Sequence, residues 1–350
     1  MITINEKIER ELRESAGFIK QALGESASYI EIDSGEDEKE PIQIDKNIEA
    51  GSFSPLKPGR CIESIAAVDG GSCNIVHARS FCIGLYRCGC LIFRDRNPVE
   101  ETLTDPEIIT VSLGNAREVF LSAYLELLAK LPEEVPLFNQ VIGRIRALKE
   151  WALAEQLIGQ LSPGSIVLMD GSLRASVSLP YKLIQRICGK AKEKEIHLVG
   201  ITKTSTLYWG KHSPLIPIIK RMGDKAYPDQ AWYCCLSDVK KEMPDSRWFG
   251  TIYVAKLSLA SDFAFRIDVN REDEEKPERI LEAIAALCQD PVYLGYPYPL
   301  AAIHNRVRIA QSEMEDFYFR LQSIALEEGI KMEDWNILFS DFHELLDVNE

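Results

Sequence analysis

The sequence predicts an α/β protein with a mixed sheet rather than a purely parallel, doubly wound one. Three observations predict it. The segment GSIVLMD at 164–170 is short and almost wholly apolar, the composition of a strand covered on both faces. A helical pattern precedes it, and another follows before a second buried strand, EIHLVGITK at 195–203. Ahead of these lies a β-rich block, IESIAAVDGG at 62–71 and NIVHARSFCIGLYRCGCLIFRD at 74–95, with the spacing of an antiparallel meander. Strands, helices, strand, helix, strand in that order point to α/β with both strand senses in one sheet.

From the N-terminus, residues 5–30 read as an amphipathic helix, with Ile8, Leu12, Phe18, Ile19 and Leu23 near helical spacing. Residues 35–60 are acidic and punctuated by Gly and Pro, and read as an irregular lead-in. The β-rich block supplies three strands, the last two broken near Gly84 or Gly89. Helices are expected at 115–130 and 138–161, then the strand at 164–170, a helix at 178–194 and the strand at 195–203. WFGTIYVAKL (248–257) and SDFAFRIDV (261–269) form a later strand pair, and 276–289 and 300–328 are helical, with a further amphipathic piece to the C-terminus. There is no internal repeat and no low-complexity tract.

The chain has 350 residues, 46% of them hydrophobic, enough for one large domain with additions or for two domains. The net charge of −14 argues against a protein that holds nucleic acid over its whole surface, but the charge is localised. Residues 31–40 carry six acids against one lysine, a net −5, and residues 311–350 carry eleven acids against Arg320 and Lys331, a net −9. The remainder balances to zero, which leaves room for a basic face, with KRMGDK at 220–225 and KTSTLYWGKH at 203–212 as its candidates or as ordinary solvated charge. Nine cysteines, an odd number, sit mostly in apolar runs without any C-x-x-C pair. That excludes a zinc ribbon and predicts buried, reduced thiols. The charged N-terminus is not a signal peptide and no apolar run approaches ~18 residues, so a cytoplasmic location is expected.

Two phrases carry the chemistry. AAVDGGS and IVLMDGSL each end an apolar run in an aspartate, Asp69 and Asp170, followed by glycine. A carboxylate at a strand's C-terminal end projects into the usual ligand crevice of α/β folds. Two on neighbouring strands can share divalent cations, Mg2+ or Mn2+, and a pair of metals about 4 Å apart clamps a scissile phosphate. The plainer reading is that each Asp-Gly makes a tight turn after its strand. In GYPYPLAAIHNRVRI, Tyr296 and His304 flank a Pro-rich turn into a helix; a histidine beside an apolar face also serves as a core residue. Lys203 stands at the end of a buried strand, where an ammonium suits a phosphate contact or simply lies at the surface.

Taken together, AAVDGGS, an Arg146-x-x-x-Glu150 helix, IVLMDGSL, GITKTS and GYPYPLAAIHNRVRI resemble, in order and spacing, the NurA nuclease family over roughly residues 60–312. The resemblance implies an RNase H-like core with a mixed β-sheet flanked by helices, plus helical N- and C-terminal additions. It implies a manganese-dependent DNA nuclease, with Mg2+ as the alternative ion, acting 5′ to 3′ on DNA ends and also as a single-strand endonuclease. The implied partner is a HerA-type hexameric ATPase in DNA end resection and break repair, and the implied assembly is a homodimer. By match, Asp69 and Asp170 are metal ligands, and Glu150 is the acid on the helix between them. Glu155, on the same helix, is its alternative. Lys203, Tyr296 and His304 fall on later active-site positions, His304 as a further ligand. The expected organisation is an N-terminal helix and acidic linker over 1–55, the nuclease domain over 56–312 and an acidic helical extension over 313–350. Two other readings stay open: an actin-like or sugar-kinase-type phosphotransferase or ATPase, whose phosphate loop DGGS resembles, and a non-catalytic adaptor of a DNA translocase.

Overall fold

The computed structural model describes residues 29–32, 42–45, 48–59, 63–128, 131–132, 135–176, 179–203, 207–209, 213–238 and 247–339. The expected helix over 5–30 lies outside the described residues except at Tyr29 and Ile30, which are strand and not helix; most of the acidic stretch 31–40 and the last eleven residues also lie outside. The chain divides into two compact units: residues 1–65, 162–174 and 191–298 in the first, and residues 66–161, 175–190 and 299–350 in the second.

The first unit holds a mixed sheet. Its strands are β3 (Phe53–Leu56), β8 (Ile166–Asp170), β9 (His197–Thr202), β12 (Ala231–Ser237), β13 (Gly250–Lys256) and β14 (Phe265–Asn270), in the order β3-β12-β13-β14-β9-β8. Neighbours are antiparallel except β8 and β9, which run parallel with Met169 opposite Gly200. Residues Ile166 to Met169 of β8 are all buried, as their unbroken apolar run requires. A second, antiparallel sheet has the order β11-β10-β1-β2, from β1 (Tyr29–Ile32), β2 (Ile42–Asp45), β10 (Leu207–Trp209) and β11 (Ser213–Pro214). Helix α4 (Leu215–Ala226) buries Leu215, Ile218, Ile219 and Gly223, one helical stripe, in a core with Phe53, Trp232 and Trp248. Helix α5 (Pro277–Ala285) opens on a proline, which lacks only an N–H the first turn leaves unused.

The second unit is built on two long strands, β4 (Ile65–His77) and β5 (Phe81–Arg94). Along its far edge β5 pairs antiparallel with both β6 (Asn97–Leu103) and β7 (Glu107–Ser112). Its helices include α1 (Ala116–Leu127), α2 (Val141–Gln160), α7 (Gln311–Glu327) and α8 (Met332–Phe339). The buried face of α2 runs Val141, Ile145, Leu148, Trp151, Ala154 and Ile158 at three- and four-residue steps. Trp335 of α8 donates its indole N–H to the Tyr318 hydroxyl of α7 at 3.0 Å and packs with Ile75, Val76 and Leu85. Helix α3 (Tyr181–Glu193) and helix α6 (Tyr298–Val307) complete the described α-helices.

The mixed α/β architecture expected from the sequence is present, with several differences in detail. The lead-in over 35–60 contains strands β2 and β3. The expected break near Gly84 or Gly89 does not occur: β5 is continuous, and both glycines lie within it, where a side chain would strike Ile142 or Leu103. The single helix expected over 300–328 is two, α6 and α7, separated at Arg308–Ala310. No helix among the described residues is long and apolar enough to cross a membrane. The described cysteines are all free thiols, most of them buried.

Candidate active site

The two Asp-Gly phrases have different backbones. In IVLMDGSL the strand ends at Asp170, and Gly171 follows with φ +124°, a conformation that favours glycine. In AAVDGGS the strand does not end: β4 continues for eight residues past Asp69, and Gly70 and Gly71 are strand residues. Asp69 is therefore a mid-strand carboxylate, which corrects its expected place at a strand end. The glycines serve close approach instead of a turn. A side chain at Gly70 would collide with the Glu150 carboxylate, and one at Gly71 with the backbone carbonyl of Val307 at the end of α6.

In the second unit the sequence-expected residues Asp69, Glu150 and His304 gather around this stretch of β4. Asp69 is only 4% exposed. Its Oδ1 accepts the Gly70 N–H at 2.7 Å, and its Oδ2 lies 2.8 Å from His304 Nδ1. Glu150, 7% exposed, is ion-paired with Arg146 one turn earlier on α2, and the same Arg146 donates to the Gly70 carbonyl at 2.9 Å. Glu155 takes no part: both of its carboxylate oxygens are held by Arg186, at 3.0 and 2.7 Å. Of the two acids the α2 sequence offers, Glu150 is the one set beside the β4 glycines. Arg87 of β5 donates to the Val307 carbonyl at 3.2 Å and to the Arg308 carbonyl at 3.4 Å, and so holds the end of the helix that carries His304.

In the first unit, Lys203, next after β9, donates from Nζ to Asp170 Oδ2 at 2.7 Å. Its ammonium stands 5.6 Å from the Tyr296 ring centroid, a cation–π distance. Tyr296 in turn packs edge-on to Phe265 at 5.2 Å. Lys203 and Asp170 are both solvent-accessible, with side chains 40% and 21% exposed.

Carboxylate oxygens and an imidazole nitrogen are the ligand types that Mg2+ and Mn2+ accept. Asp69, Glu150 and His304 supply that chemistry in the second unit, and Asp170 in the first; burial of two of these acids demands positive charge nearby, which suits a cation. Cys88 was not anticipated here. Burial first, then the negative charges of Glu150 and Asp69 against the opposing Arg146, push its thiol up to about 12. The group stays protonated at neutral pH and acts as packing. Iodoacetamide at pH 7.5 is expected to leave Cys88 unmodified in the folded protein and to alkylate it once urea unfolds the chain; peptide mapping by mass spectrometry checks this, and rapid native labelling would contradict it.

Carboxylates on strands β4 and β8 and on helix α2, an imidazole on α6 and an ammonium after β9 stand in a mixed α/β fold that is also found in a known nuclease. The structure is similar to the crystal structure of the NurA nuclease from Sulfolobus solfataricus, with a TM-score of 0.57 at 15% identity over 94% of this chain and 99% of that one. Weaker likenesses include Endonuclease V of Ciona intestinalis in complex with a 24mer DNA containing an inosine followed by a ribo-adenosine (TM-score 0.40, 9% identity, 88% of this chain and 99% of that chain). Human Endonuclease V is another (TM-score 0.38, 12% identity, 76% and 94%). No curated protein matches the sequence. Residues 63–221 match the NurA domain. Strands β4 and β8 and helix α2, with Asp69, Asp170 and Glu150, lie inside the matched region.

Proposed function

We propose that this chain is a divalent-metal-dependent deoxyribonuclease that degrades DNA ends 5′ to 3′ and cuts single-stranded DNA, working as a homodimer with a HerA-type hexameric ATPase in end resection during double-strand-break repair. The observation that carries the nuclease reading is the contact between Asp69 and His304, 235 residues apart in the chain, on a strand of the NurA domain. Each of Asp69, Glu150, His304 and Asp170 would serve as a ligand to a divalent ion, Mn2+ in preference to Mg2+. Bound there, a divalent cation supplies charge stabilisation at the phosphate and an activated water.

The protein's own side chains do the rest. Asp69 is fixed by the Gly70 N–H and by His304, so little reorganisation is needed when it takes up a cation. Arg146 orients Glu150 and balances its buried charge. Lys203 balances Asp170, and beside a metal-bound Asp170 its ammonium would be available to a non-bridging phosphate oxygen. The Tyr296 ring limits where that ammonium can swing.

The reading is tested by incubating the purified chain with end-labelled single- and double-stranded DNA, with Mn2+ or with EDTA. Absence of metal-dependent cleavage under any of these conditions would refute it. Lys203→Met is expected to slow single-turnover cleavage between tenfold and a hundredfold, about 1.4 to 2.7 kcal/mol of barrier, while DNA affinity changes less than threefold. A loss of affinity with unchanged single-turnover rate would instead make Lys203 a peripheral backbone contact.

The partnership rests on charge. With net −14 overall, and −9 over residues 311–350, the chain has little long-range attraction for DNA. DNA binding by the chain alone is expected to be weak and strongly salt-sensitive, with cleavage rising severalfold when the translocase and ATP deliver the strand. Equal rates with and without them would count against delivery.

A further inference from the structure

We infer that Asp268, held by Arg266, is a positioning residue that fixes the turn carrying Asp170; its catalytic consequence rests on the nuclease reading above. Asp268 and Arg266 lie two apart on β14, hence on one face, and are 0% and 1% exposed. Arg266 Nε donates to Asp268 Oδ1 and Nη2 to Oδ2, each at 2.7 Å. The guanidinium is stacked 4.3 Å from the Trp248 ring centroid. Asp268 Oδ2 also accepts the backbone N–H of Leu173 at 3.1 Å.

That last bond reaches the turn after β8. Gly171 N–H donates to the Ile201 carbonyl at 2.9 Å, and the Leu173 carbonyl accepts from Phe249 N–H at 2.8 Å. The three residues after Asp170 are thus tied to β9, to β14 and to the segment entering β13. The sheet makes room for this. Asp268 stands opposite Gly200 on β9, where a side chain would collide with the Gly171 carbonyl and come within 3.2 Å of Leu173 N. On the other side, a side chain at Gly250 would come within 2.5 Å of Asp268 Cβ. Two glycines therefore flank one carboxylate, and the turn lies on the first.

A buried ion pair is a poor device for stability, since apolar replacements of similar volume are often as stable or more so. It is a good device for presenting an acceptor at a fixed point. Arg266 occupies both carboxylate oxygens, which leaves Oδ2 aimed at Leu173 with no freedom to rotate. The consequence for Asp170 is a defined carboxylate direction from a strand end that would otherwise fray.

The test separates the acceptor from the charge. Asp268 substituted alone strands a buried arginine and risks misfolding, so two double variants are compared: Arg266→Met with Asp268→Asn, and Arg266→Met with Asp268→Leu. Both lack the buried charges; only the first keeps an acceptor for Leu173 N–H. Hydrogen exchange at the Leu173 amide, Mn2+ affinity by electron paramagnetic resonance without DNA, and melting temperature are measured on each. The expected result is wild-type protection and Mn2+ affinity within threefold for the Asn variant. For the Leu variant, at an equal melting temperature, protection and affinity should both fall at least tenfold. Equal protection in the two variants, or lost protection with unchanged Mn2+ affinity, would overturn the positioning role. Wild-type protein that binds no Mn2+ would instead refute the metal reading of Asp170, and the exchange comparison would still decide whether Asp268 fixes the turn.

Discussion

Replacing Asp170 with Asn is expected to lower metal-dependent cleavage at least a hundredfold, about 2.7 kcal/mol of barrier, without changing the fold. The swap is nearly isosteric and removes the charge that a divalent cation needs. The structure explains why folding should survive. Asp170 is the last residue of β8, its backbone pairs opposite Ile201 whatever the side chain, and its one described side-chain contact is Lys203. Both partners are partly exposed, and such a pair contributes about 1 kcal/mol or less to stability. Cleavage rates, circular dichroism and melting temperature, measured together, check the expectation. Retention of more than a tenth of the activity would remove Asp170 from the catalytic machinery.

Gly71→Ala is expected to do the opposite, acting on stability first. A methyl group at this position would run into the Val307 carbonyl and lie 2.8 Å from its carbon. That obstacle is backbone at the end of α6, further held by Arg87, and cannot rotate aside as a side-chain end would. Overpacking of this kind typically costs about 1–3 kcal/mol, and the upper part of the range is expected here. Any displacement of α6 also shifts His304 from Asp69. Denaturant titration checks the effect; a change within ~0.5 kcal/mol, the level of an ordinary surface substitution, would show that β4 and α6 part without penalty.

Periodicity and composition made most of the scaffold legible. The apolar run ending at Asp170 could only be a covered strand, and the stripe from Val141 to Ile158 could only be a helix with one buried face, because each pattern solves the burial problem at a single repeat. Lys203 at the end of β9 followed from the same counting, whereas His304 stands near the end of the short α6 and not near the start of one long helix. The short strands β2, β3, β10 and β11 escaped it, since two to four residues are too few to show a period.

What only the tertiary structure decided is how the same letters are used. Asp-Gly ends a strand at 170 and runs through one at 69, because Gly70 and Gly71 lie under Glu150 and the end of α6, neighbours up to 236 residues away that no local rule contains. Glu150 and its alternative Glu155 share one helix in the sequence and separate in space, one turned to β4 and the other held by Arg186. The Arg266 and Asp268 pair did carry a sequence signal, two opposite charges on one face of an otherwise apolar strand. Its target did not: a chain of backbone bonds from Asp268 to the Asp170 turn exists only once β8, β9 and β14 are side by side. Residue types and their repeats determine which chemical groups this protein owns and on which elements. Which groups meet is set by long-range close packing, where the absence of one methyl group lets a helix end or a turn approach the sheet.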